Sequence, residues 1–142
     1  MQLSTILAKK GSTVITVKPA QTVREVVALL ADKRIGAVVV VDESGHPVGI
    51  VSERDVVREL ARNETVLSEP VSHVMTRDVV LARPGDDTKA VSKTMTDRRF
   101  RHLPVMDHGE LVGIISIGDV VKAQLDEYEG EIETLQTRVE KG

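Results

Sequence analysis

Residues 14–57 recur as residues 79–121, and a chain that carries its own copy has few ways to fold. The two stretches agree at about 15 of 43 aligned positions, with one residue deleted in the second turn. Pro19 aligns with Pro84, Val26 with Val91, Asp32 with Asp97, Arg34 with Arg99 and Asp42 with Asp107. The run Gly49-Ile50-Val51-Ser52-Glu53-Arg54-Asp55 aligns with Gly113-Ile114-Ile115-Ser116-Ile117-Gly118-Asp119, and Val56-Val57 with Val120-Val121. Open solenoids need about three repeats, so two copies imply a closed pair about a pseudo-twofold axis. One copy of about 45 residues is too short to bury a stable core alone. Pairing of the two sheets is therefore expected to complete the core. It also creates two related clefts, the kind of place where small ligands settle.

Each copy reads β-α-β-β-α. Val14–Val17 is a β-branched strand stopped by Pro19, which lacks a ladder donor. Thr22 with Glu25 three residues on marks a helix start, and Val23, Val26, Val27 and Leu30 give that helix its apolar stripe. Ala37–Val41 is a continuous apolar run, as in a strand covered on both faces. A turn through Ser44-Gly45 leads to a strand at Val48–Val51 and a helix at Glu53–Arg62. The second copy repeats this as strand Val79–Ala82, helix Asp87–Arg99, strand Leu103–Met106, a turn at His108-Gly109, strand Leu111–Ile115 and a helix from Ile117. The expected organisation is an α/β (α+β) fold: an N-terminal helical arm (1–13), a first repeat (14–62), a connector (63–78), a second repeat (79–125) and a C-terminal helical extension (126–142).

Composition removes several function classes. There are no cysteines, so no disulfide scaffold, thiolate metal cage or cysteine nucleophile. One Tyr, one Phe and no Trp leave little to stack single-stranded bases. A net charge of −3 argues against a duplex-binding surface. The four histidines show no metal spacing, and no metal is expected. No apolar run approaches the ~18 residues of a membrane span. Lys9 and Lys10 break up the only early apolar stretch, so a cytoplasmic protein without membrane or nucleic-acid partners is expected.

Two constellations carry chemistry. The first is Ser-x-x-Asp at Ser52/Asp55 and Ser116/Asp119, each between a strand and a helix. One reading is a capping box. The other is a ribose-phosphate site, in which free helix N–H groups take phosphate and the carboxylate takes the sugar hydroxyls. Gly118 lets a ligand approach the backbone; Arg54, its counterpart, either reaches phosphate or is solvated. The second constellation is Arg98-Arg99-Phe100-Arg101-His102-Leu103-Pro104. A helix C-terminus favours cations and accounts for Arg98 and Arg99. Arg101 and His102 fall beyond it, and Arg suits bidentate phosphate contact. The first copy has Gly36-Ala37 there, small residues against which a flat ring fits. A nucleophile elbow fails on spacing, since Gly113 to Gly118 reads G-x-x-S-x-G.

The doubled unit, with GIVSERD and GIISIGD closing the copies and RHLPV opening a strand, resembles a tandem pair of cystathionine-β-synthase-type (CBS) domains, also called a Bateman module, of the small stand-alone bacterial type. The resemblance spans about residues 10 to 125. It implies a non-catalytic regulatory module that binds an adenosine ligand (AMP, ADP, ATP, NAD(H) or an S-adenosyl derivative), forms homodimers and acts on an unidentified protein partner. Carried over by position, Asp55 and Asp119 would hold ribose hydroxyls, with Ser52 and Ser116 assisting. Arg101 and His102, before Pro104, would hold phosphate. Ile35, Gly36, Ala37, Thr16 and Val17 would border adenine in the cleft that uses Asp119, together with Ile117 and Gly118. Arg101 crowds the equivalent place in the Asp55 cleft, so the Asp119 cleft is the first choice for the ligand and the Asp55 cleft the second.

Two other readings stand beside this one: a ligand-silent structural homodimer whose Ser-x-x-Asp motifs only cap helices, and a small hydrolase using Ser116 or His102. At the ends, Leu3, Ile6 and Leu7 form a short helical arm, followed by a Lys9-Lys10-Gly11 turn expected to be solvated. Val121, Leu125, Tyr128, Ile132, Leu135 and Val139 follow heptad spacing, broken by Gly130. That stripe either folds back on its own domain or packs between subunits.

Overall fold

A computed structural model describes residues 1–11 and 14–141, with α5 side chains described to residue 136. The first repeat builds β1 (Thr16–Val17), α2 (Val23–Lys33), β2 (Ala37–Val41), β3 (Pro47–Ser52) and α3 (Glu53–Arg62), after an arm helix α1 (Leu3–Lys10). The second builds α4 (Thr88–Arg98), β4 (His102–Asp107), β5 (Glu110–Ser116) and α5 (Ile117–Lys141). The fold is mixed α/β, with five α-helices and two small sheets among the described residues.

Local chemistry sets the element ends. Thr22 Oγ1 accepts the Glu25 N–H at 3.2 Å and starts α2. The Asp87 carboxylate accepts the Lys89 and Ala90 N–H groups and starts α4. Both helices stop on an arginine in the left-handed region, Arg34 (φ 54°) and Arg99 (φ 57°), at equivalent repeat positions. The residue deleted in the second copy leaves a two-residue hairpin turn, His108 (φ 51°) and Gly109 (φ 79°), whose double positive φ suits the twist of β4 and β5.

The sheets differ in one strand. In the first, β1 runs parallel to β2 (Thr16 beside Val39), and β2 pairs antiparallel with β3 (Val39 beside Ile50). In the second, β4 and β5 pair antiparallel, but the strand expected at Val79–Ala82 is reduced to a single bridge between Ala82 and Val105. Ala82 N–H donates to Pro104 O at 2.9 Å, and Met106 N–H to Ala82 O at 2.8 Å. The next ladder bond back would need an N–H from Pro104, which has none. Val39, its counterpart, keeps that donor.

The core is organised differently from the shared layer expected. There are two clusters, and each is completed by a segment from outside its repeat. Val17, Val26, Val38, Val40 and Val51 of the first repeat pack with Val66, Val71 and Met75 of the connector. Val91, Met95, Leu103, Val105 and Ile115 of the second pack with Leu3 and Ile6 of α1. The two completing segments are docked alike. Val71 N–H donates to Gln21 O, Ser72 N–H to Pro19 O, and Val23 N–H to Glu69 O. Leu3 N–H donates to Asp86 O, Ser4 N–H to Pro84 O, and Thr88 N–H to Met1 O. Met75 fills the space over Gly49 and Leu7 the space over Gly113, so a Cβ at either glycine would displace that side chain. The duplication therefore begins before residue 14. The segment preceding each repeat is built into the other repeat, which interlocks the two.

At the far end α5 continues through Gly130 without a break. Val121, Leu125, Tyr128, Ile132 and Leu135 are each about half exposed, so the stripe does not fold back on its own domain. Val139 lies outside the described side chains. No helix among the described residues is long and apolar enough to cross a membrane.

Candidate functional site

Both Ser-x-x-Asp motifs form reciprocal capping boxes. Ser52 N–H donates to Asp55 Oδ2 at 2.8 Å, and Asp55 N–H to Ser52 Oγ at 3.3 Å. Ser116 N–H donates to Asp119 Oδ2 at 2.9 Å, and Asp119 N–H to Ser116 Oγ at 3.0 Å. The box sets each carboxylate at a helix N-terminus, beside a backbone bond that ties the helix to the neighbouring strand. Glu53 N–H donates to Gly36 O, and Ile117 N–H to Arg101 O. Capping and ligand binding are thus compatible here. Each box uses Oδ2, and among the described residues Asp55 Oδ1 meets Arg58, at 3.9 Å.

A cleft of about 580 Å³ lies between the repeats on the Asp55 side, within the usual range of small-molecule sites. Gly36, Ile50, Ser52, Arg54, Asp55 and Arg58 line one wall, Arg99, Phe100, Arg101 and His102 the other, and Thr76 of the connector closes it. A Cβ on Gly36 would meet His102 Nε2 at 3.7 Å, so this glycine stands at the seam between the copies. Four arginines and two acids, Glu53 and Asp55, line it, giving a field that favours an anion. Burial pushes the His102 imidazole below its ordinary pKa, and the Lys10 and Arg101 charges add to this against the opposing pull of Asp119 and Asp55. His102 is therefore neutral at pH 7.

The Asp119 side is different. Lys10, expected to be solvated, places Nζ 2.7 Å from Asp119 Oδ2 and 2.8 Å from Ile114 O. Burial works to raise the Asp119 pKa, but the Lys10 ammonium and the Ser116 N–H outweigh it and hold the carboxyl below the usual range. The space at Asp119 is a pocket of about 210 Å³ bordered by α1 and α5, with Lys9, Lys10 and Lys122 in its wall.

The other sequence candidates fall in several places. Gly36, Ser52, Arg54, Asp55, Arg101 and His102 meet in the larger cleft. Gly36 was expected to border the Asp119 cleft, yet it stands opposite His102 on the Asp55 side. Val17 and Ala37 are buried and do not line the cleft, and Val17 belongs to the first core cluster because its strand turns that face inward. Pro104 is likewise buried in β4. Thr16 is exposed on β1. Ile35 borders a separate apolar groove between α2 and α3. Ile117 packs on the second core cluster, and Ser116 and Gly118 stay with Asp119 outside the larger cleft. Sequence reasoning missed Ile50, Glu53, Thr76 and Arg58 as cleft residues. Arg58 lies one helical turn beyond Arg54, a spacing that places both on one face. Thr76 had no signal, because the connector's part in the repeat was not visible.

Among the described residues no histidine hydrogen-bonds Ser52 or Ser116, and no three His, Asp or Glu side chains gather as a metal site.

Comparison with known proteins gives the same outline. The CBS domain family model matches twice, at residues 11–62 and 71–126. An uncharacterised protein of Methanocaldococcus jannaschii is 36% identical over 109 residues, which is 77% of this chain but only 39% of that protein. A CBS domain-containing protein of Bacillus subtilis is 31% identical, with 87% of each chain covered. The crystal structure of a CBS-domain protein from Agrobacterium tumefaciens superposes with a TM-score of 0.84 at 42% identity, covering 87% of this chain and 99% of that one. A CBS domain protein of Pyrobaculum aerophilum, solved in complex with AMP, superposes with a TM-score of 0.75 at 29% identity, covering 84% and 89%. The repeat, the paired capping boxes and these matches lead to one conclusion: the chain belongs to the CBS-domain family and carries two such domains in tandem.

Proposed function

We propose that this chain is a non-catalytic sensor that binds an adenosine-containing anion, AMP, ADP, ATP or NAD(H), in the cleft beside Asp55. The observation that carries this reading is the meeting, in one cleft of about 580 Å³, of a helix-terminal carboxylate from one repeat with Arg101 and His102 from the other. Asp55 Oδ1 accepts ribose hydroxyls, and Arg54, Arg101 and His102 take phosphate. The Pyrobaculum relative solved with AMP supports the ligand class. So does the CBS domain pair of protein MJ0100, solved with 5′-methylthioadenosine and S-adenosyl-L-methionine at 25% identity and a TM-score of 0.80. Because the walls come from both copies, an occupant ties them together. That gives the differential affinity between two states that any signal to a partner requires.

A thermal-shift panel of AMP, ADP, ATP, NAD, NADH and S-adenosylmethionine tests the reading. A ligand at 100 times its Kd adds ~2.7 kcal/mol of stability. Arg101→Ala is expected to weaken phosphate-bearing ligands by about 10- to 100-fold, the usual value of charged hydrogen bonds, and to leave adenosine unchanged. Equal losses for both would remove the phosphate role. A panel that shifts nothing would favour a structural module, the reading that the two complete capping boxes support.

His102 gives a pH signature. Its pKa in the free protein is depressed, so it is neutral at neutral pH. A bound phosphate stabilises the imidazolium and raises that pKa, so binding takes up a proton. Affinity should therefore rise as pH falls through the raised bound-state pKa, and level off below the depressed free-state one. Calorimetry in buffers of different ionisation enthalpy reads the proton directly. His102→Gln should abolish the uptake, and its persistence would place the proton elsewhere.

A further inference from the structure

We propose that Lys10 closes the Asp119 cleft to nucleotide, so that only the Asp55 half of the pair fills. This rests on the nucleotide reading above and adds to it the residue that selects between the two clefts. Lys10 is the last residue of α1, a helix anchored by buried Leu3 and Ile6 and closed by a bond from Gly11 N–H to Leu7 O. Its ammonium is therefore delivered to a defined place. It bridges Asp119 Oδ2 and Ile114 O at 2.7 and 2.8 Å, joining α1 to the end of β5 and the start of α5. The same carboxylate oxygen also takes the Ser116 N–H of the capping box. The ammonium pairs with this carboxylate, so a ribose diol meets a neutralised acid there, whereas Asp55 meets an arginine no nearer than 3.9 Å.

The other copy carries the control. Leu7 over Gly113 corresponds to Met75 over Gly49, and three residues further on Lys10 corresponds to Asp78. An acid at that position cannot pair with Asp55. Asp78 turns to Arg98 instead, at 3.1 Å, and Asp55 is left facing the open cleft. The two acids thus differ in their partners, a lysine at 2.7 Å on Asp119 and an arginine at 3.9 Å on Asp55, and the difference traces to residues of opposite charge at matching offsets from Leu7 and Met75. The Lys10 charge also reaches the larger cleft, where it helps keep His102 neutral.

Calorimetric titration of the full chain with AMP and with ATP tests this. The wild type is expected to bind one nucleotide per chain. Lys10→Met keeps the side chain's apolar length and removes its charge. It should bind two nucleotides per chain, with affinity at the first site unchanged within about threefold. Lys10→Met combined with Asp55→Asn should bind one tightly, now at Asp119. Two nucleotides on the wild type, or one on Lys10→Met with unchanged affinity, overturns the selection role while leaving the nucleotide reading intact. Weaker binding by Lys10→Met overturns it too, because Lys10 would then be a ligand-gripping group. No binding by any of the proteins removes the nucleotide reading itself.

Discussion

Leu3→Ala is expected to lower the unfolding free energy by about 2–5 kcal/mol, the range for removing a fully buried leucine side chain. The change looks minor in the sequence, at the third residue, a region where truncation is usually harmless. In the fold Leu3 is completely buried among Met95, Leu103, Val105 and Ile115 of the second repeat. The backbone on either side is fixed by bonds to Pro84, Asp86 and Thr88, so collapse around the cavity is limited. Urea unfolding at constant m-value measures the loss. Val71→Ala, its counterpart in the connector, should cost less per site because a smaller side chain is removed, but it should act on the first repeat. If Leu3→Ala proves silent, α1 is not part of the second core.

Asp55→Asn is expected to weaken adenine-nucleotide binding by about 10- to 100-fold, through loss of charged hydrogen bonds to ribose. The amide keeps an oxygen for the Ser52 N–H, so the cap survives and stability should change by no more than ~1 kcal/mol. The contrast with Asp119→Asn is informative. Asp119 is already engaged by Lys10, and its substitution should leave nucleotide affinity within about threefold of the wild type. Parallel calorimetry and circular dichroism decide. Reversed effects would assign the ligand to the other cleft.

Much of the fold was legible because it rests on local rules. The internal match gave the two-copy architecture, Thr22 gave the start of α2, and the unbroken valines of β2 announced a strand covered on both faces. The lost strand at Val79–Ala82 was also written in the sequence, in Pro104, but only the register of β4 shows which donor is missing. The crossed completion of the cores was hidden. Leu3-Ser4-Thr5-Ile6-Leu7 and Val71-Ser72-His73-Val74-Met75 share one serine, and their offset differs from that of the main repeats. At the site, the residue types were readable and their grouping was not. Asp55, Arg101 and His102 meet because two distant segments close one cleft. Lys10 reaches Asp119 only because α1 docks on the far repeat, and no spacing rule in a single sequence reports a contact across 109 positions.

The crossed segments also set an order of assembly. During synthesis the first repeat finds its missing piece soon, since residues 66–75 follow directly behind it. Residues 1–10 must wait, with Leu3 and Ile6 unsheltered, until the hairpin of β4 and β5 has emerged. The second core then closes by the capture of residues 1–10 by a hairpin made about a hundred residues later, a slow closure over a long loop. Until it happens, Asp119 is without the lysine that pairs with it in the finished fold.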